Sequence, residues 1–301
     1  MIVPEAVRPG DTLRLIAVSG CVHEGDQTQT VAHAREKLEA LGFSVIVDES
    51  CHARYGYLTG TDAERAQALE RAFLDPLSQG IVCLKGGYGC NRMVDLVHWD
   101  RVLAHPKAFL GFSDITTLHL AMNARGLVTF HGPMGTSVLP EAEARTSLLR
   151  ALSGDTGDWL MPASGTQCVR AGCAEGTLIG GNLSLVAAAC GTPYFPDMKG
   201  RILFLEEIGE YVYAIDRMLN QLRLCGVFDQ IAGLILGAFT DCRGEYADSF
   251  SLGEVVENAL KNTSCPVLAQ VHAGHVAQSL TLPLGRTVRM DAAAGRVCVL
   301  P

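Results

Sequence analysis

Residues 108–125 read AFLGFSDITTLHLAMNAR. A short apolar run, Ala108 to Gly111, ends at a glycine, and a helix-spaced apolar pattern, Ile115 to Arg125, begins just beyond it. A buried strand that turns sharply into a helix is the unit from which α/β folds are built. At such an elbow a side chain projects past the carboxyl end of the strand, and the next backbone N–H points the same way. Ser113 occupies the elbow. Its hydroxyl can attack a carbonyl if a histidine, oriented by a carboxylate, takes its proton. Ser113-Asp114 also suits an ordinary helix cap, so the elbow alone leaves both readings open. It is not the G-x-S-x-G elbow, because Ile115 stands where the second glycine would be.

The same alternation extends on both sides. Upstream, strands are expected at Leu13–Val18, Phe43–Val47 and Ile81–Leu84, with a helix over Thr30–Leu41. A capping box, Thr61 with Glu64, starts a second helix that runs to about Leu74. Arg92–Val97 reads as helical and Val128–His131 as a strand. Strands separated by helices predict a parallel sheet covered on both faces. Residues 153–175 are rich in small and turn residues and read as a linker with at most one strand. The chain then resumes with strands at Gly176–Ile179, Ile202–Leu205, Leu234–Leu236 and Pro266–Gln270, helices at Asn182–Ala189 and Ala214–Leu224, and a β-rich end over Leu280–Val299. The expected organisation is an α/β domain over 1–152, a linker, and a second α/β domain with a β-rich end over 176–301.

With 301 residues, 48% hydrophobic and 19% charged, the chain can bury a large core. The formal net charge is −8 and no dense basic run offsets it, so nucleic acid is not the expected partner. Eleven cysteines fall without C-x-x-C pairs, several of them (Cys83, Cys190, Cys225, Cys298) in apolar runs, as small buried hydrophobes of a reducing compartment would. The N-terminus lacks a signal-peptide pattern, and no apolar stretch reaches the roughly 18 residues of a membrane span. A cytoplasmic protein, not membrane-bound, is expected.

In an open parallel sheet ligands sit beyond the carboxyl ends of the strands. Three loops fall there: 19–21, 85–92 and 111–115. Lys85-Gly86-Gly87-Tyr88-Gly89 exposes backbone N–H groups able to hold an anion, although glycines after strands are commonly plain turns. In Leu205-Glu206-Glu207-Ile208-Gly209-Glu210 a strand ends in acidic residues, which could orient a base, lie in solvent or cap the next helix. His272 and His275 follow the strand Pro266–Gln270. No Asp, Glu or Cys is spaced to complete a metal site with them, so neither metal nor cofactor is expected. His119 reads as a packed core histidine, His131 as support for a loop, Asp114 as a helix cap, and Asn182 as the cap of the helix it begins.

Ordered motifs along nearly the whole chain carry a resemblance. They include Ala17-Val18-Ser19-Gly20, Tyr57-Leu58-Thr59-Gly60-Thr61, Lys85 to Gly89, Gly111 to Asp114, Phe130-His131-Gly132-Pro133-Met134, Glu175 to Leu183, Gly191-Thr192-Pro193, Leu205-Glu206-Glu207 and Gly274-His275. Together they resemble the serine peptidases that include murein LD-carboxypeptidases and microcin C self-immunity hydrolases. The resemblance implies Ser113 as nucleophile, His275 as general base and Glu206 as its orienting carboxylate. It implies an oxyanion hole from the backbone N–H groups of Asp114 and the Gly86-Gly87 turn. It also implies a cleft between two domains, a homodimer, and release of terminal D-alanine from murein tetrapeptides. The alternative substrate is an aminoacyl-nucleotide conjugate of the microcin type. Gly86, Tyr88, Lys85 and Arg92 are the substrate-binding candidates, the two cations for a terminal carboxylate. Lys85 stands where many relatives carry arginine, and lysine lacks the planar fork that grips a carboxylate with two parallel bonds. The short linker, with Trp159 its only tryptophan, favours the murein substrate.

Overall fold

The computed structural model describes residues 1–23, 25–137, 142–158 and 165–301; Trp159 and part of the expected linker lie outside them. The first sheet is built from β1 (Thr12–Ile16), β2 (Ser44–Val47), β3 (Gly80–Cys83), β4 (Ala108–Gly111) and β5 (Thr129–His131). Between these strands run α1 (Gln27–Ala40), α2 (Asp62–Leu74), the short α3 (Cys90–Met93) and α4 (Trp99–Leu103), and α5 (Thr116–Ala124). The strands are parallel, in the order β5, β4, β3, β1, β2.

Both faces of this sheet are buried because successive side chains on a strand point to opposite sides. Leu13, Leu15, Val82 and Leu110 face α1 through Val31, Ala34 and Leu38. Ile16, Ile81, Cys83 and Phe109 face α2 and α5 through Leu69, Phe73, Leu118 and Met122. α2 starts as the sequence predicts: Glu64 Nα donates to Thr61 Oγ1, and Thr61 Nα donates to Glu64 Oε2 at 2.8 Å. Arg92–Val97 does not form the expected helix; α3 ends at Met93. The direction of winding reverses between β1 and β3, and at such a switch point the loops leaving adjacent strands splay apart to leave a crevice. Here these are the loops at Ser19–Cys21 and Lys85–Gly89.

A helix not anticipated from the sequence, α6 (Ala142–Leu152), leads to the second sheet. Its strands are β6 (Gln167–Arg170), β7 (Cys173–Asn182), β8 (Ile202–Ile208), β9 (Gly233–Thr240), β10 (Val267–Ala269), β12 (Thr287–Asp291) and β13 (Arg296–Val299). The order is β13, β12, β7, β8, β9, β10, β6, with the four central strands parallel and the outer ones antiparallel. Its helices are α7 (Leu183–Ala189), α8 (Val212–Leu224), α9 (Val227–Gln230) and α10 (Leu252–Leu260). Leu203, Leu205, Leu234 and Leu236 pack under α8 and α10, while Leu178, Ile202, Phe204 and Ile235 join the same apolar cluster as one face of the first sheet.

The stretch read as a linker carries a strand, as allowed for it: β6 edges the second sheet by pairing with β10. The β-rich end is divided. β11 (Leu282–Leu284) leaves it to pair antiparallel with β5, so the first sheet is not wholly parallel. All eleven cysteines are free thiols. Cys83 is buried as expected, but Cys225 is exposed because it lies at the solvent end of α8, and Cys190 and Cys298 are half-buried.

Candidate active site

Ser113 follows β4 with φ +63°, a left-handed conformation that costs a non-glycine residue about 1–2 kcal/mol. Strain of that kind persists only where the surroundings fix it, and here they are glycine-lined. A methyl group on Gly86 would sit 2.9 Å from Ser113 Cβ, 3.1 Å from its Oγ and 3.5 Å from the Asp114 backbone nitrogen. The crevice loop thus runs directly against the hydroxyl. Among the described residues, the backbone N–H groups of Gly87 and Asp114 donate to no protein acceptor. They are available to an anion from outside the chain.

Asp114 does not cap the helix that follows it. Its buried carboxylate accepts from Ser19 Oγ at 2.5 Å and from the Cys90 backbone N–H at 2.9 Å. One side chain therefore ties together the three loops that the sequence places beyond the strand ends. Ser19, whose hydroxyl supplies one of those ties, lies in the Ala17-Val18-Ser19-Gly20 motif and the 19–21 loop, but its bond to Asp114 joins residues too far apart in sequence to be read from either.

Glu206 and Glu207 sit at the end of β8, where the two-residue period of a strand sends them to opposite faces. Glu207 accepts from Asn182 Nδ2 at 2.7 Å, Ser184 Oγ at 2.7 Å, and the backbone N–H groups of Ser184 and Ile208. Asn182 in turn caps α7 as expected. Glu207 is thereby satisfied within the fold. Glu206, fully buried, takes His275 instead: the imidazole Nδ1 lies 2.7 Å from Oε2, and the His275 backbone N–H reaches the same oxygen at 3.3 Å. Burial pushes the Glu206 carboxyl up, but His131 and His275 beside it outweigh that and bring it down to about 2.

The His275 loop is fixed on several sides. Gly274 has φ +111°, and a methyl group there would lie 2.6 Å from Glu206 Oε2, so only glycine lets the loop approach. Thr240 Oγ1 donates to the His275 carbonyl at 2.7 Å, and Ser279 Oγ accepts from the Gly274 N–H at 2.9 Å. His272 bonds the Ala277 carbonyl at 2.7 Å and so closes the loop on itself. Phe112, beside the nucleophile candidate, packs its ring 4.7 Å from the His275 ring. Ser113 Oγ and His275 Nε2 are not hydrogen-bonded to each other. Catalytic contacts of this kind often tighten only when substrate is bound.

The substrate-binding candidates divide. Lys85 is half-buried, donates to the Cys21 carbonyl at 2.9 Å, and has no carboxylate partner among the described residues. Tyr88 is exposed, its ring 5.9 Å from that of Tyr57. Arg92 is held by Asp62 at 3.0 Å and borders a separate cavity with Thr117 and Tyr194, one that Ser113 does not line. His119 is the expected core histidine: burial lowers it to about 3, and its Nε2 bonds the Gly111 carbonyl at 2.9 Å. His131, expected to support a loop, packs its ring edge-on against Phe112 of the elbow, 5.8 Å between centroids. It lies at the end of β5, fully buried, with Nε2 3.9 Å from Glu206 Oε1.

The LD-carboxypeptidase N-terminal domain family matches residues 13–132, and the LD-carboxypeptidase C-terminal domain family matches residues 175–290. The chain belongs to the LD-carboxypeptidase family. A Bacillus subtilis protein named "Probable murein peptide carboxypeptidase" is 36% identical over 96% of this chain and 92% of its own length. The murein tetrapeptide carboxypeptidase of Pseudomonas aeruginosa is 33% identical over 88% of this chain and 89% of its own. The microcin C7 self-immunity protein MccF of Escherichia coli is 28% identical over 85% of this chain and 83% of its own. Among solved structures, a muramoyltetrapeptide carboxypeptidase from Oxalobacter formigenes superposes with a TM-score of 0.80 at 27% identity, covering 96% of this chain and 97% of that one. MccF without ligand superposes at 0.89 and 24% identity over 100% and 99%, which establishes the shared fold. The family resemblance, the α/β fold and the expectation of a peptidase hold.

Proposed function

We propose that this LD-carboxypeptidase family member is a serine carboxypeptidase that releases the terminal D-alanine of murein tetrapeptides by hydrolysing an LD-amide bond. The observation that carries the mechanism is the 2.7 Å contact between His275 Nδ1 and the buried Glu206, on a loop packed against the elbow that holds Ser113. Glu206 fixes the Nδ1–H tautomer and leaves Nε2 free to accept a proton. Ser113 Oγ gives that proton to His275 as it attacks the amide carbonyl. The resulting oxyanion is received by the free N–H groups of Gly87 and Asp114, whose preorganised dipoles cost no reorganisation as charge develops. His275 then protonates the departing D-alanine amine, and water cleaves the acyl-enzyme by the reverse sequence of proton transfers. Lys85, pinned by a single carbonyl, keeps N–H donors for the substrate's terminal carboxylate. Arg92, already paired with Asp62, is the lesser candidate.

We place this activity in the cytoplasm, on recycled wall peptides, in a homodimer as the family resemblance implies. No helix among the described residues is long and apolar enough to cross a membrane. Incubation with a purified tetrapeptide muropeptide, followed by mass spectrometry, tests the reading beside Ser113→Ala. Loss of one D-alanine with the wild type alone supports both substrate and nucleophile. A folded wild type that leaves the tetrapeptide intact but cleaves an aminoacyl-nucleotide conjugate would replace the substrate and keep the triad.

A further inference from the structure

We propose that His131 is a positioning residue of this site: it donates its Nε2–H to Glu206 Oε1, so that the carboxylate is held by a histidine on each side. The inference rests on the triad reading above.

Two buried polar atoms, His131 Nε2 and Glu206 Oε1, face each other here without other partners. Among the described residues, neither ring nitrogen of His131 has a hydrogen bond, and neither does Glu206 Oε1. Both side chains are fully buried, and Nε2 faces Oε1 at 3.9 Å. A buried carboxylate oxygen with no donor is costly, and so is a buried imidazole N–H with no acceptor. A bridging water would need its two partners about 4.5 Å apart or more, given hydrogen-bond legs of about 2.8 Å and a tetrahedral angle. The gap is too short for that. A side-chain shift of about 1 Å brings the pair within direct hydrogen-bond range and satisfies His131 Nε2 and Glu206 Oε1.

Glu206 is the one carboxylate in ion-pair range of His131 among the described residues. The His131 ring is walled by Phe112 and Phe204, at 5.8 and 5.1 Å between centroids. The remaining titratable neighbour is His119, at 6.3 Å, kept neutral by burial with its Nε2–H directed to the Gly111 carbonyl. The backbone of His131 is equally constrained. It pairs with Gly111 of β4, the strand that delivers Ser113, and with Leu282 of β11, which follows the His275 loop. A residue clamped between those two strands and directed at the third member of the site fixes the carboxylate relative to both. With Oε1 held by His131, Oε2 is left oriented toward His275 Nδ1.

Nitrogen NMR of histidine-labelled wild-type protein, without substrate, reads the tautomer directly. The proposal requires His131 as the Nε2–H form, with that proton's shift moved in Glu206→Gln. His131→Phe keeps the aromatic packing but removes the donor; it is expected to lower kcat on the tetrapeptide by about 10–100-fold, leave KM within about threefold, and displace the acid limb of the pH–rate profile. His131→Gln, whose amide can present a donor near the position of Nε2, is expected to recover most of that loss. An Nδ1–H tautomer in the wild type, or wild-type kcat and pH profile in folded His131→Phe, would overturn the proposal. If the Phe variant does not fold, the tautomer and the Gln variant decide. A wild type that cleaves no muropeptide leaves the NMR readout intact, so failure of the substrate assignment is distinguishable from failure of this inference.

Discussion

Gly86→Ala isolates the closeness of the crevice loop to Ser113, the proposed nucleophile. The added methyl would lie 2.9 Å from Ser113 Cβ and 3.1 Å from Oγ, against an ordinary carbon contact of about 3.5–4.0 Å. Either the loop or Ser113 must yield by about 0.5–1 Å. Gly86 has no left-handed φ, so the substitution carries no backbone strain of its own. Its folding cost is that of mild overpacking, about 1–3 kcal/mol. The catalytic cost is larger, because a displacement near 1 Å can remove about 10²-fold in rate. The Asp114 nitrogen, at 3.5 Å, is in ordinary contact, so the loss falls on the placement of Ser113. The assay is kcat on the tetrapeptide together with thermal unfolding. Gly253→Ala serves as control, since it makes the same chemical change inside α10, where alanine favours the helix by about 0.5–1 kcal/mol. Wild-type kcat in Gly86→Ala would refute the argument that this loop abuts the reacting hydroxyl.

Two further outcomes follow from the end of β8. Glu206→Gln should cost about 10⁴-fold in kcat by allowing the wrong imidazole tautomer. Glu207→Gln should instead lose roughly 1–3 kcal/mol of stability, through mismatched donors at Asn182 and Ser184, with kcat changed less than about tenfold; equal kinetic effects in the two variants would contradict their assignment to opposite faces. Because the Glu206 carboxyl is lowered from 4.5 to about 2 on folding, its contribution to stability is complete above the unfolded value and is lost as pH falls from 4.5 toward 2. Urea denaturation at pH 5.5 and 3 should show that loss in the wild type and a smaller one in Glu206→Gln; identical losses would discount the carboxylate's role.

The sequence by itself determined the local elements and the candidate chemistry. Apolar runs and periodicity located β1 to β5 within a residue or two, because a strand buried on both faces must be apolar throughout. The Thr61–Glu64 capping box was legible because it is a contact within one turn of helix. α3 was overextended because apolar spacing in 92–97 does not distinguish a helical turn from packed turns. α6 and the second capping box, Ser251 with Glu254, are equally local, yet no expected helix covers them.

Only the tertiary structure decided which groups face each other. Strand alternation, pinned by the register of Asn182 opposite Glu206, turned Glu206 toward His275 and Glu207 toward α7. Asp114 was recruited away from capping because folding brings Ser19 and Cys90, both distant in sequence, against it. The return of β11 to the first sheet placed His131 between the strand that leads to Ser113 and the loop that carries His275. Such contacts join residues scores of positions apart. Their energies come from burial and hydrogen bonding that exist only once the two sheets have closed over the same core, so no window of sequence contains them.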